Sequence, residues 1–299
     1  MIRFRERHPL LASLLVLAAM VAGMLLGGVI GGIAMVVPPA ADLLGDYGVQ
    51  LIVELGMLAV MVGMTFLLRM GRVFTCRGRG FWKSLVPAAV ILGLYALAGV
   101  ESLVFYVGSP LQHPVHILLF VLCMAAVGIT EELTFRGLIA GMLYDKYGAT
   151  PAGVWFSVMA SSLLFGLVHL SNAVGADLSG VLIQMVGAIA LGMCLAALYF
   201  RCRNLWAVAA VHGFMDFCAL LTSGVFREDS LTDIIDGYSG ANLLAFGLYV
   251  VIALVLLRPS KLREITSRQD SDVSTTAWLG ISTGLVGFLV GAVVVLSLI

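Results

Sequence analysis

The chain has 299 residues, of which 61% are hydrophobic and 11% charged, with mean hydropathy +1.07 and formal net charge zero. Soluble domains carry roughly 25% charged residues, so the composition excludes one and describes a membrane protein. Zero net charge argues against a nucleic-acid partner. The five cysteines (Cys76, Cys123, Cys194, Cys202, Cys218) show no CxxC spacing, which argues against a disulfide framework or a cysteine-ligated zinc site.

Apolar runs long enough to cross ~30 Å of hydrocarbon lie at roughly 10–37, 49–68, 84–107, 115–143, 152–170, 180–200, 204–222, 241–257 and 276–298. They predict an all-α membrane protein, a polytopic bundle of about nine helices (eight to nine), without room for a folded soluble domain. The first run follows Arg3, Arg5 and Arg7 and ends in Val-Val-Pro-Pro without a convincing cleavage site; it reads as an uncleaved anchor rather than a signal peptide.

The distribution of basic residues orients the bundle. With the N-terminus in the cytoplasm and nine alternating spans, the inside segments hold Arg3, Arg5, Arg7, Arg69, Arg72, Arg77, Arg79, Lys83, Lys146, Arg201, Arg203, Arg258, Lys261, Arg263 and Arg268. That is 15 of the 17 basic residues. The outside loops instead carry Asp42, Asp46, Asp177, Glu228, Asp229, Asp233 and Asp236. The positive-inside rule therefore puts the N-terminus in the cytoplasm of a multi-pass cell-membrane protein and the C-terminus outside. The basic segment Arg69–Lys83, with Phe81 and Trp82, is expected to rest on anionic headgroups.

Few ionisable groups remain in the spans: Glu54, Glu101, Glu131, Glu132, Arg136, His169, His212 and Asp216. Each costs roughly 2.5–3.5 kcal/mol at mid-bilayer on insertion scales, so such groups normally have partners and a task. Glu101 is expected to reach the interface, and Glu54 to serve an interfacial or helix-packing role at least as readily as a catalytic one. His113 and His116, beside Pro114 at a helix start, read as solvated or capping residues.

The densest polar stretch is Gly128-Ile129-Thr130-Glu131-Glu132-Leu133-Thr134-Phe135-Arg136-Gly137. On an α-helix Glu132 and Arg136 stand four apart on one face and can pair. Glu131 points about 100° away and is left to face something else. Phe165 precedes His169 by four residues and can pack beside its imidazole, and His212 precedes Asp216 by the same interval. Small residues flank each group: Gly128 and Gly137; Ser161, Ser162 and Gly166; Ala209, Ala210 and Gly213. They let helices approach closely and bring polar side chains together. Measured at ~1.5 Å per residue from each inner helix end, Glu131, His169 and His212 lie at about 20, 28 and 12 Å, so their meeting requires tilted or offset helices.

Glu131-Glu132-x-x-x-Arg136, Phe165-x-x-x-His169 and His212-x-x-x-Asp216 together resemble the three signature motifs of the CPBP family. These are the CAAX-processing endoproteases and bacteriocin-processing or immunity proteins, also called Abi-type or glutamate intramembrane proteases. The resemblance covers roughly 80–225. It divides the chain into N-terminal helices with a basic cytoplasmic loop (1–79), a catalytic helical core (80–225) and C-terminal helices (226–299).

The resemblance implies an intramembrane endopeptidase acting on membrane-associated substrates, prenylated CAAX-type peptides among the candidates. Glu131 would be the general base that, with His169, holds and polarises a water. Glu132 would be fixed by Arg136, and His212 with position 216 would hydrogen-bond the oxyanion. Family members often have asparagine at the last position, and an ionised aspartate cannot donate to an oxyanion. Asp216 either is protonated, orients His212 as a charged donor, or marks altered activity; the second is favoured, because a carboxylate one turn away stabilises a histidinium.

Glu131, His169 and His212 could also bind zinc with an open fourth position, but the helical HExxH of a zinc peptidase is absent. No cofactor or metal is expected, and the partners expected are a peptide or protein substrate and the lipid bilayer. Two other readings stay open: a catalytically inactive immunity or scaffold protein of the same fold, and a proton-coupled transporter, against which no inverted repeat of broken helices is evident.

Overall fold

The computed structural model describes residues 2–75 and 80–266. The principal helices in chain order are α1 (Pro9–Met35), α2 (Pro38–Leu67), α3 (Ala89–Phe105), α4 (Pro114–Glu132), α5 (Gly141–Tyr147), α6 (Pro151–Val168), α7 (Leu178–Cys202), α8 (Leu205–Ala219), α9 (Asn242–Leu256) and α10 (Pro259–Thr266). Between α4 and α5 the chain winds as a π-helix over Leu133–Ala140. Among the described residues no strand forms; a single isolated bridge joins Leu111 and Phe226.

Eight of the nine apolar runs fall on described residues, and each is helical. The ninth, 276–298, lies outside them, as do Arg77, Arg79 and Arg268. Among the described residues six helical segments are long and apolar enough to cross a membrane, and α9 with α10, bent by 61°, makes a seventh if the pair is one span. The chain is thus an all-α, multi-pass membrane protein. The fourth segment runs from Pro114 to Tyr147 over 34 residues. The run at 204–222 is shorter than expected: α8 has 15 residues.

Local chemistry sets the helix starts. Proline opens α2, α4 and α6, where its missing N–H costs nothing. His113 Nδ1 accepts from the Val115 amide at 3.4 Å, the capping role expected of it, and His116 Nε2 lies 3.0 Å from the Asp42 carbonyl. Asn204 caps α8 by accepting from the Ala207 amide at 3.2 Å.

The chain forms two compact units. The first comprises residues 11–134 and 204–230; in it α4 packs against both α2 and α8, and α8 also packs on α3. The second comprises 3–10, 135–203 and 231 onward; here α7 is the central element, touching α6 and α9. In this second unit α10 is tied down by Tyr144, whose hydroxyl donates to the Ile265 carbonyl at 2.9 Å. Arg201 on α7 meets Glu264 on α10 at 3.3 Å.

Helix α1 approaches α2 closely at Gly27, where an added Cβ would stand 2.6 Å from the Val53 Cα. Its neighbour Gly28 has nothing within 4 Å of such a Cβ. Gly27→Val is therefore expected to destabilise the first unit by about 1–3 kcal/mol, while Gly28→Val is expected to be near neutral. Thermal unfolding of both variants in detergent checks this; equal midpoints would show that the two helices are not in backbone contact.

Candidate active site

The first unit gathers most of the polar residues singled out in the sequence. Helices α4 and α8 cross where glycine faces glycine. A Cβ on Gly128 would lie 2.4 Å from the Ala209 carbonyl oxygen and 2.8 Å from the Gly213 nitrogen, and one on Gly213 would lie 2.7 Å from the Met124 oxygen. Only hydrogen fits on those faces. Backbone contact at this level brings the residues one turn further along α4 onto His212, and so closes the difference in depth that the sequence sets between Glu131 and His212.

Around His212, 2% exposed, three carboxylates converge. Glu132 Oε1 is 2.8 Å from Nδ1. On the opposite side of the ring Nε2 lies 3.7 Å from Glu131 Oε2 and 3.5 Å from Asp216 Oδ2, the latter one turn along the same helix. The imidazole is thus gripped at Nδ1 and presents Nε2 to two further carboxylates. A ring in this position can donate to carboxylates on both sides only when both nitrogens carry a proton.

The sequence expects Arg136 as the partner of Glu132 but does not foresee this contact with His212, 80 residues later. It also treats 128–137 as one α-helix, whereas the winding changes to π from Leu133. Wider π turns recur at functional sites. Within the same turns Thr134 Oγ1 donates to the Thr130 carbonyl at 2.7 Å.

Glu54, weighed as interfacial or packing, is 3% exposed and lies in the first unit. The Gln50 amide donates to its Oε1 at 2.9 Å, and the Thr130 hydroxyl donates to its backbone carbonyl at 3.5 Å. An available signal was Gln50 one turn before Glu54, a second polar side chain on the same face. By contrast Glu101 is exposed on α3, in keeping with a residue that reaches the interface.

The second unit holds Arg136 and His169, and Phe165 joins them. The Arg136 guanidinium carbon sits 4.4 Å from the Phe165 ring centroid, and its Nη2 donates to the Gly192 carbonyl at 3.3 Å. The imidazole of His169 packs edge-on against the same phenyl ring, centroids 5.0 Å apart, with Nδ1 2.9 Å from the Phe165 carbonyl. The expected contact between Phe165 and His169 is present; the stacking of Arg136 on the same ring is a feature the sequence did not indicate. Phe135 adds a third aromatic contact to Phe165, at 5.0 Å.

Among the described residues no group of three His, Cys, Asp or Glu side chains is arranged to hold a metal ion. The carboxylates around His212 approach the ring nitrogens at hydrogen-bond and ion-pair range, engaging the same lone pairs a metal would require.

Beside the glycine crossing, the first unit has an apolar groove of about 390 Å³. Met124, Ala125 and Ile129 on α4 line one wall, Ala209, Ala210 and Phe214 on α8 the other. It runs along the same two helices that carry Glu131 and His212.

Residues 113–218 match the model of the type II CAAX prenyl endopeptidase Rce1-like family. The match is consistent with the CPBP family that the three motifs resemble. The matched stretch contains all three motifs. The chain is also 31% identical over 125 residues to a Bacillus subtilis (strain 168) protein named "Putative membrane peptidase YdiL". The alignment covers 39% of this chain and 45% of that relative, so the chain spans under half of the length of the curated protein it matches. No solved structure matches.

The grip of Glu132 on His212 predicts non-additive substitutions. Glu132→Gln and His212→Gln together should cost less than the sum of each alone, with a coupling of about 1–3 kcal/mol. Unfolding in mixed micelles measures it. In a Gly128→Val background, which forces α4 from α8, the coupling should fall to within ~0.5 kcal/mol of zero.

Proposed function

We propose that the protein is an intramembrane endopeptidase that hydrolyses a peptide bond with a water activated by Glu131. The observation that carries this reading is the arrangement at His212, whose ring is held at Nδ1 by Glu132 and turned with Nε2 toward Glu131 and Asp216. A buried histidine flanked by carboxylates from two helices is costly in a bilayer, and ionisable groups kept there usually serve a function.

In the proposed reaction the Glu131 carboxylate accepts a proton from water as its oxygen attacks the scissile carbonyl, and then returns that proton to the departing amine. His169 helps to hold the water. The oxyanion that forms is met by the N–H at His212 Nε2, a preorganised donor of the kind worth roughly 10²–10³ in rate. Glu132 fixes the ring and its proton at Nδ1, so its main partner in the reaction is His212. Asp216 favours the doubly protonated ring and so strengthens the hydrogen bond it offers. Arg136, stacked on Phe165, maintains the setting of His169. The apolar groove along α4 and α8 is suited to the greasy part of a membrane-associated substrate, a prenyl group included.

The family match and the similarity to a protein named as a membrane peptidase support the hydrolase reading over a transporter. The inactive scaffold is the second reading, and the aspartate at position 216 is what favours it. The proposed orientation places the N-terminus in the cytoplasm and the C-terminus outside, on the strength of the basic segments.

Cleavage of a panel of fluorogenic lipidated peptides by the purified protein in detergent tests the proposal. Glu131→Gln and His169→Ala should each reduce kcat by about 10²–10⁴, and a chelator should leave the rate unchanged. Asp216→Asn should lose roughly tenfold, the equivalent of ~1.4 kcal/mol of transition-state stabilisation. A gain of activity in Asp216→Asn would instead identify the natural protein as the inactive scaffold.

The groove assignment has its own test. Ala210 is exposed in the groove wall, so Ala210→Trp should fill the space without disturbing the core. It should raise KM for lipidated peptides at least fivefold while leaving KM for unlipidated peptides within twofold; equal effects on both would remove the groove from substrate binding.

A further inference from the structure

The apolar groove along α4 and α8 differs at its two ends. Gly128 stands opposite Ala209, and Gly213 opposite Met124, so the two helices run antiparallel. Ile129 with Trp206 therefore marks one end of the groove and Val121 with Phe217 the other. Trp206 and Phe217 are eleven residues apart on α8, ~16 Å at the helical rise. About 390 Å³ spread over that length is a slot roughly 5 Å across. An α-helix with its side chains is about 10–12 Å wide, so the slot admits one extended hydrocarbon chain and no helix. It is open to the surface, with Val121 44% and Phe214 37% exposed.

The Trp206 end is a rim. Its indole N–H donates to the Phe74 carbonyl at 3.0 Å, which holds an exposed ring at the edge of the groove. The Phe217 end is a wall. Phe217 stacks on Phe120, with centroids 5.3 Å apart and planes 27° from parallel, and Phe120 has no exposed surface. Tyr47 meets Phe120 edge-on at 4.8 Å, and a Cβ on Gly224 would lie 2.4 Å from the same ring. Packing this close leaves no room behind Phe217 for a chain to continue. The reaction above gives Phe217 no task.

We propose that Phe217 is a specificity-determining residue that ends the groove and so limits the length of the hydrocarbon chain a substrate carries. This deepens the groove assignment and rests on the peptidase reading. While a chain is still entering the groove, each methylene it removes from water is worth about fourfold in binding. Past the wall an added carbon must fold back or stay outside, and the gain ends. Such a preference acts on binding, so it appears in KM more than in kcat.

The test compares fluorogenic peptides of one sequence carrying saturated alkyl chains of ten to twenty carbons, using the full chain in detergent. Each variant is read as the ratio of kcat/KM on the longest chain to that on the shortest, relative to wild type, which cancels the partition of longer chains into micelles. Phe217→Ala opens the wall and should raise this ratio at least fivefold, whereas Phe217→Trp thickens it and should lower the ratio at least fivefold, both through KM. Phe217→Leu should raise it at least twofold and carries the test if the alanine variant does not fold. A ratio unmoved in all three variants, or moved the same way by alanine and tryptophan, would overturn the proposal. So would equal losses at every chain length, the mark of a Phe217 that only supports the core.

Saturable binding of the same peptides, measured by fluorescence anisotropy, separates this from the peptidase reading. If no peptide were cleaved but the long-to-short binding ratio shifted in opposite directions in Phe217→Ala and Phe217→Trp, the peptidase would fall and the Phe217 wall would stand. Cleavage whose chain-length dependence ignored both substitutions would do the reverse.

Discussion

The contact on which the site depends is the backbone approach of α4 and α8 at Gly128 and Gly213. Two helices normally pack 8–10 Å apart, the spacing set by their side chains. With hydrogen in place of a side chain on both faces, the Gly128 Cβ direction points at the Ala209 carbonyl from 2.4 Å, and no larger residue fits. That proximity lets the short reach of Glu131 and Glu132 extend to an imidazole on another helix. In a membrane no hydrophobic effect drives such contacts, because lipid is as apolar as the side chains, so packing and polar contacts have to supply the free energy.

Burying charge in this setting is handled by local pairing. His212 has carboxylates on both sides, at 2.8 Å on one and 3.5–3.7 Å on the other. Arg136 finds the face of Phe165 and a helix carbonyl, an arrangement in which guanidinium suits the site better than ammonium would, being planar and weakly hydrated. Phe165 serves two polar neighbours at once, which gives a physical reason for an aromatic one turn before His169. The asymmetry at His212 also matters. A ring held firmly at one nitrogen leaves the other at a defined position, the same logic by which a buried carboxylate orients a catalytic histidine in unrelated hydrolases.

Position 216 illustrates how one atom changes the options of a site. An amide there could donate directly to developing negative charge. The carboxylate can only accept, and its place one turn from His212 and 3.5 Å from Nε2 directs its influence through the ring. In the proposed reaction the donor function is thereby concentrated in His212, and Glu132 is the residue that holds that donor still.

The membrane class and the helical character of the eight described apolar runs were legible in the sequence because hydrocarbon imposes length and composition on each span independently of its neighbours. The motif residues were legible for a related reason: an ionisable group in an apolar run is conspicuous wherever it sits, and intervals of four mark one helix face, as with His212 and Asp216 or Phe165 and His169. What pairs with what across helices was not legible. The partnership of Glu132 with His212, the π turns after Glu132, the stacking of Arg136 on Phe165 and the burial of Glu54 beside Thr130 all depend on which faces meet and how closely. Those are fixed by the sum of contacts between segments far apart in the chain, and small residues such as Gly128 and Gly213 mark where an approach is permitted without naming the partner. The sequence by itself determined the helices and the chemistry they carry; only the tertiary structure decided which carboxylate reaches which nitrogen, because that is a matter of a few ångströms set by packing.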